Sequence, residues 1–335
     1  IEAFVAYENS LGGVDGRKLA LTPYDAQISP TNFQAATQQS CSSAFAIVGS
    51  YSIGDNGGVA PGQQCGIPVI PAGTTAPQVL AASNVVAPLP TQPNVFSTGY
   101  FHWLAQAYPS AVTKAGILYP DNQVTRVAAQ RVVATAGTQG FHYLEDQVVS
   151  LIQVDFTSFI LDMKNKGVQQ FTWGADYQAM GRLLQSMQQQ NWHPQVFDGT
   201  AAGYTQAFLK QSGPQAQGML MSLPISLLNE TAQDPMMKTY LTWLDKTVPN
   251  HAPPDLFGVT SWSAGLLFVK AMEQAGKNPT RAQVLKALHS VHSWNGDGIQ
   301  APSNPGSAIG TNCFVAVKVE SSAFVRAHHS QPGTF

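Results

Sequence analysis

The sequence predicts an α/β protein of two similar lobes, each built on a parallel sheet. Three observations predict it. Short continuous apolar runs, Phe45–Val48 and Ile67–Ile70 among them, have the length of buried strands. Helix-length segments separate these runs, and that alternation is the signature of parallel βα units. The alternation then starts afresh at Ala115-Gly116-Ile117-Leu118-Tyr119, after a break at Pro109 and Ser110. Ligands of open α/β sheets collect at the carboxyl ends of strands. Here those ends carry Gly49-Ser50-Tyr51-Ser52 and Ala72-Gly73-Thr74-Thr75, which offer hydroxyls, backbone N–H groups and close approach at glycine. No carboxylate pair or activated nucleophile stands there, so the loops suit holding a small molecule better than transforming one.

Taken in order, Ile1–Asn9 reads as an amphipathic helix without a cap. An α/β domain rarely opens inside a helix, so an N-terminal strand, and any export signal before it, is expected to be absent from this sequence. The turn Leu11-Gly12-Gly13-Val14-Asp15-Gly16 ends the helix. Lys18–Tyr24 reads as a strand, and Pro30–Gln39 as a helix with proline in its first turn. Strand Phe45–Val48, a helix over 56–64, strand Ile67–Ile70, a short helix from Ala76 and a strand over 94–98 follow. Gly99–Ala107 is helical.

The second series has a strand from Ala115, helix Val124–Ala136, strand Tyr143–Val149, and a helix to Lys166 capped by Asp155 or Thr157. Strand Gln170–Trp173 and helix Tyr177–Gln190 come next. The stripe Met180, Leu183, Leu184 and Met187 on that helix is expected to be core. Strands Gln195–Phe197 and Gly218–Ser222 close the series. Helices over 236–247, 257–274 and 280–288 then precede a Gly/Pro/Asn/Ser-rich loop at 293–310. A hairpin, Cys313–Val319 with Ala323–Ala327, ends the chain.

The 335 residues fit two ordinary domains, and 44% hydrophobic content supports sizeable cores. A net charge of −2 with 11% charged residues argues against nucleic acid, which requires a basic patch. No apolar run nears the roughly 20 residues of a membrane span. Cys41 and Cys65 each precede a strand. If those strands are neighbours, a disulfide fits and implies an oxidising compartment; the alternative is two buried thiols. Cys313 has no evident mate. Ser52 lacks a Gly-x-Ser-x-Gly elbow, and Gly54-Asp55-Asn56-Gly57-Gly58 lacks the Lys-Ser/Thr of a phosphate loop. His289 and His292 at i, i+3, and the pair His328-His329, lack the further ligands a metal needs. The reading is therefore no enzyme, no metal and no cofactor.

The ordered set Gly12-Gly13-Val14-Asp15-Gly16-Arg17-Lys18, Ala46-Ile47-Val48-Gly49, Gly66-Ile67-Pro68-Val69-Ile70-Pro71, Thr75-Ala76-Pro77 and Leu118-Tyr119-Pro120-Asp121-Asn122 resembles the type I periplasmic binding proteins. It is most similar to the branched-chain amino acid receptors of ABC importers. The cysteines resemble the actinobacterial branch. The resemblance implies two doubly wound lobes joined by a three-strand hinge, with the ligand cleft between them. Lobe one would be 1–112 plus 255–310, and lobe two 113–254 plus 311–335. It further implies an extracytoplasmic monomer, periplasmic or at the cell surface and lipid-anchored through an absent N-terminal segment. That monomer would hand a small solute to a membrane permease after hinge closure. A sensor or scavenger of the same fold without a permease is the second reading.

Carried over by position, the resemblance places a ligand carboxylate on Tyr51, Ser52 and Ile53, and on Gly73, Thr74 and Thr75, of lobe one. In lobe two it points to Asn122, Gln123, Trp173, Asp176, Tyr177, Thr200 and Ala201, with Trp262 added from the long helix. Two positions depart from the family. Val124 stands where the family often has tyrosine, and Ala201 where it often has the acid that holds the ligand's ammonium. Asp176 or Asp121 is left to replace that acid. The lining therefore suits a small neutral or anionic, partly apolar metabolite at least as well as leucine.

Overall fold

A computed structural model describes residues 1–74, 76–92, 96–327 and 334–335. In chain order it has α1 (Glu2–Ser10), α2 (Pro30–Ser43), β1 (Ile47–Val48), α3 (Val59–Cys65), β2 (Val69–Ile70) and α4 (Pro77–Leu80). There follow α5 (Gly99–Ala107), α6 (Pro109–Val112), β3 (Ala115–Pro120), α7 (Gln123–Gly137), β4 (Tyr143–Val149), α8 (Thr157–Lys166), β5 (Gln170–Trp173) and α9 (Tyr177–Gln189). Then come β6 (Val196–Asp198), α10 (Gln206–Ser212), β7 (Leu220–Leu223), α11 (Pro235–Thr247), α12 (Leu256–Ala275) and α13 (Arg281–His289). The chain ends on β8 (Val315–Glu320) and β9 (Ala323–Arg326). The fold is α/β, with parallel pairing from β1 through β7.

The chain forms two compact units. Unit one is Ile1–Pro93 with Ile225–Thr311, and unit two is Asn94–Pro224 with Asn312–Phe335. The segments 94–112 and 225–254 thus fall on the other side of the boundaries expected from sequence. Packing explains both. Tyr100, Phe101 and Leu104 of α5 bury in one apolar cluster with Ala115, Val196 and Leu220 of unit two. Trp243 of α11 meets Tyr7 of α1 edge-on at 5.9 Å in unit one.

Unit one holds a two-stranded parallel sheet, β1 against β2, with a parallel bridge from Val69 to Val85 on the other edge of β2. The expected strand at Lys18–Tyr24 is not formed. A strand is defined by its ladder, and the backbone at Leu19 is engaged instead by the side-chain amide of Asn9, at 2.7 and 2.9 Å. A cavity of about 700 Å³ is lined both by this segment and by the flank of β1. The strand expected over 94–98 is not formed at Phe96–Thr98, and Asn94 and Val95 lie outside the described residues.

The core of unit one is aromatic. Phe4 meets Trp262 edge-on at 5.3 Å, and Tyr7 and Tyr240 pack on the same indole. Phe4 lies so close over α12 that any side chain at Gly265 would overlap its ring. Cys41, in the last turn of α2, is bridged to Cys65, the last residue of α3. The Arg281 guanidinium braces that corner by donating to the carbonyls of Cys41, Ala44 and Cys65 at 2.8, 2.6 and 3.2 Å. Cys313 lies elsewhere, exposed, in unit two.

Unit two carries a seven-stranded sheet in the order β4-β3-β5-β6-β7-β8-β9. Its first five strands are parallel; β3, β5 and β6 are buried throughout, whereas the edge strand β4 carries Glu145, Asp146 and Gln147 and is only partly buried. The last two are antiparallel. Ser321 and Ser322 turn β8 into β9 with φ of 50° and 59°, the two positive φ values of a type I′ hairpin. The stripe Met180, Leu183, Leu184 and Met187 on α9 is buried, as its 3.6-residue spacing predicts.

Candidate functional site

The candidate residues divide between the units, and each group sits where strands end. In unit one, β1 ends at Val48, and Gly49, with φ of +72°, turns the chain into Ser50-Tyr51-Ser52. Tyr51 is 49% exposed, a large value for an aromatic ring. One of its faces covers the loop after β2, so that a Cβ at Gly73 would touch the ring at 3.7 Å. It also pairs with Phe257 of α12, centroid to centroid 4.0 Å.

Ser52 is committed inward, its hydroxyl accepting from the Gly54 N–H at 3.0 Å. Thr74 is 6% exposed; its hydroxyl accepts from Ala76 N–H at 3.3 Å, and its carbonyl accepts from Thr91 at 2.9 Å. Thr75, which the family pattern matched directly, lies outside the described residues. Glycine is required at position 57, where the loop passes so close to the Pro30 carbonyl that a side chain would overlap it.

Buried beneath these loops is Asp55, 8% exposed. Burial pushes its carboxyl up to about 6; hydrogen bonding from the Thr74 hydroxyl and the Asn56 N–H draws it partly back. Partial burial, then the charges of Asp55 and Asp255, raise the Tyr51 phenol.

In unit two the polar candidates serve as helix caps. Asn122 caps α7, its side chain accepting from Thr125 N–H at 3.0 Å, and Gln123 begins that helix and is exposed. Asp176 caps α9 by accepting from Ala179 N–H at 2.8 Å, with Tyr177 next to it and half-buried. Asp121 pairs with Arg126 at 2.6 Å. Both carboxylates expected to replace the missing acid are therefore already engaged.

Trp173 is 1% exposed, meets Phe156 edge-on and donates its indole N–H to the Asp176 carbonyl at 3.0 Å; it is a core residue that fixes the loop after β5. Trp262 is also 1% exposed, with its indole N–H on the Met236 sulfur, so the ring builds the unit-one core and lines no loop.

Thr200 has φ 54° and ψ 172°, a region that costs a non-glycine residue about 1–3 kcal/mol. Its N–H is held by the Asp198 carboxylate at 3.0 Å, and the strain presents Thr200, Ala201 and Ala202 half-exposed after β6. Asp198 is 4% exposed, and burial pushes its carboxyl up to about 7, with the Thr200 N–H and Tyr100 hydroxyl opposing.

A family model described as periplasmic binding protein matches residues 1–323. The chain belongs to the periplasmic binding protein family. No curated protein matches it. Among solved structures, this periplasmic binding protein resembles a fatty acid ABC transporter substrate-binding protein from Thermomonospora curvata, with a TM-score of 0.82 and 17% identity over 99% of this chain and 89% of that one. A branched-chain amino acid ABC transporter from Thermus thermophilus with bound valine gives 0.82 and 16%, over 98% and 89%. A leucine binding protein from Thermotoga maritima gives 0.79 and 13%, over 98% and 92%. At these identities the likeness is one of fold.

Three residues beside the candidate loops of unit one escaped the sequence: Asp55, Asp255 and Phe257. Asp55 lay within a glycine-rich stretch that lacks the phosphate-loop signature and reads as the start of a helix. Phe257 carried no signal beyond helical spacing, because its partner Tyr51 is 206 positions away in the chain.

Proposed function

We propose that this chain is the extracytoplasmic solute receptor of an ABC importer. It captures a small metabolite, an amino acid or a small partly apolar acid, by hinge closure and delivers it to a membrane permease. The two compact units are its two lobes. The observation that carries the reading is Tyr51, half exposed on Gly73 and Phe257 at the carboxyl ends of β1 and β2. An aromatic ring left open at strand ends, in a member of this family, is a ligand surface. The unit-two loops after β3, β5 and β6 would supply the remaining contacts. No helix among the described residues is long and apolar enough to cross a membrane.

A thermal-shift screen with branched-chain amino acids, small carboxylates, amines and neutral metabolites tests this. A solute at 100 times its dissociation constant stabilises by about 2.7 kcal/mol, an easily read shift. At least one small solute is expected to raise the midpoint. A screen in which no small molecule does so counts against the receptor reading.

A further inference from the structure

Unit two shows what the open side of the unit-one sheet lacks. In unit two, β3 lies between β4 and β5, runs parallel to both and is buried along its whole length. It leads directly into α7, and β4, β5, β6 and β7 follow in the chain. Unit one repeats that series without its first member. α1 stands for α7, and Lys18–Tyr24 follows it as β4 follows α7. β1, β2 and the bridge at Val85 then stand for β5, β6 and β7. The place of β3 falls in the cavity of about 700 Å³ that β1 and Lys18–Tyr24 both line.

Both walls carry unused backbone. Ile47 and Gly49 donate their N–H groups to the carbonyls of Pro68 and Ile70 at 2.9 and 2.8 Å. In a parallel ladder the N–H and C=O of Val48, between them, then point the other way, to the cavity side, where no described residue bonds to them. No backbone group from Ala20 to Tyr24 is hydrogen-bonded among the described residues either. β1 is only half-buried, whereas β5, which β3 covers, is buried throughout. The rest of the wall is largely apolar, with Phe4, Val5, Phe33 and Phe268 among its residues. An apolar slot between two unpaired backbone edges fits an extended chain, which alone satisfies both edges at once.

The direction is also set. The Ile1 side chain lies against Gly49, where a Cβ would sit 3.2 Å from it, so α1 starts at the carboxyl end of β1. A strand that leads into α1 there runs parallel to β1, as β3 runs to β5.

We propose that this slot is the acceptor site for one β-strand, an extended apolar segment that leads into α1, lies parallel to β1 and pairs with β1 and Lys18–Tyr24. It gives unit one the strand order of unit two. Its carboxyl end borders Ser50 and Tyr51, which line the same cavity, so the turn after it joins the loops that follow β1 and β2. The inference is independent of the solute-receptor reading, which stands or falls on the solute screen.

The test is a chain carrying a copy of Ala115–Asn122 ahead of Ile1, compared with the chain as it is by hydrogen exchange and mass spectrometry. A control extension has proline in place of the copied glycine and leucine. In β3 these alternate residues face β5, where Leu118 accepts from Gly174 N–H at 3.0 Å. The β3 copy is expected to slow exchange at least tenfold in segments 18–24 and 45–50 and to raise the unfolding midpoint of unit one. The proline control should do neither. Unchanged exchange in either segment, or equal protection by the control, overturns the proposal. Should the extended chain fail to fold, the same segment supplied as a free peptide is expected to protect the same two segments, and its failure to do so counts equally against it.

Discussion

Asp198→Asn is expected to raise the unfolding midpoint of unit two at pH 8 and to leave it nearly unchanged at pH 4. The carboxyl is wholly enclosed at the end of β6, 4% exposed, beside the Tyr100 phenol, which burial and the Asp198 charge push well above its usual value. Burial keeps the folded-state proton on until about pH 7, against an ordinary value of 3.8. Between those two values the folded chain holds a proton that the unfolded chain has released. Stability from this group therefore falls as pH rises from about 4 to about 7, and is level above that.

The full span is roughly 4 kcal/mol, three pKa units at about 1.4 kcal/mol each. Asparagine stays neutral throughout and can still accept from Thr200 N–H. The difference between variant and wild type should grow across that window and reach its maximum by pH 8. A difference that is flat with pH, or a variant less stable at pH 8, would show that Asp198 is ionised in the folded chain and paired. Asp55 acts in the same direction over a narrower window, from about 4 to about 6.

Reduction of the Cys41–Cys65 bridge is the second large effect. The two residues are 24 apart in sequence, and closing a loop of that length restricts the unfolded chain by roughly 3.5 kcal/mol at 25 °C. Both cysteines belong to unit one, so reducing agent should lower that unit's unfolding transition and leave unit two's in place. The double variant Cys41→Ser, Cys65→Ser should reproduce the shift and lose its response to reductant. Intact-mass counting that finds free thiols on both Cys41 and Cys65 without reduction would sink the prediction. The Arg281 bonds to three carbonyls around the bridge survive reduction, so the corner is expected to loosen rather than to open.

The parts of the molecule legible in the sequence are those set by local pattern. Gln170–Trp173 reads as a strand because a short run between two helix-length segments matches burial on a parallel sheet, and all four of its residues are buried. α9 was readable from Met180, Leu183, Leu184 and Met187, and the hairpin from Glu320-Ser321-Ser322. What failed depends on partners far away in the chain. Lys18–Tyr24 has strand-like residues, yet strand formation needs a neighbour, and Asn9 takes the backbone at Leu19 instead. Trp173 and Trp262 were assigned to the ligand surface on position. Their indole N–H groups find partners inside the protein, and so both rings are core. Tyr51 and Gly73 were placed correctly at strand ends because βα units put loops there by topology. The acids were not, since a carboxylate's role is decided by burial and by what caps which helix, and neither is visible in composition.

Direct titration of the strongest solute found by thermal shift, against the wild type and Tyr51→Ala, tests the central claim most directly. Tyr51 is half exposed and its main packing contact is the Phe257 ring, so the variant should still fold, with a midpoint lowered only slightly in the absence of solute. The account predicts that its dissociation constant rises at least tenfold, about 1.4 kcal/mol, consistent with loss of a buried aromatic contact on binding. Equal affinity in the two proteins would contradict it, and would move the solute away from the loops that follow β1 and β2.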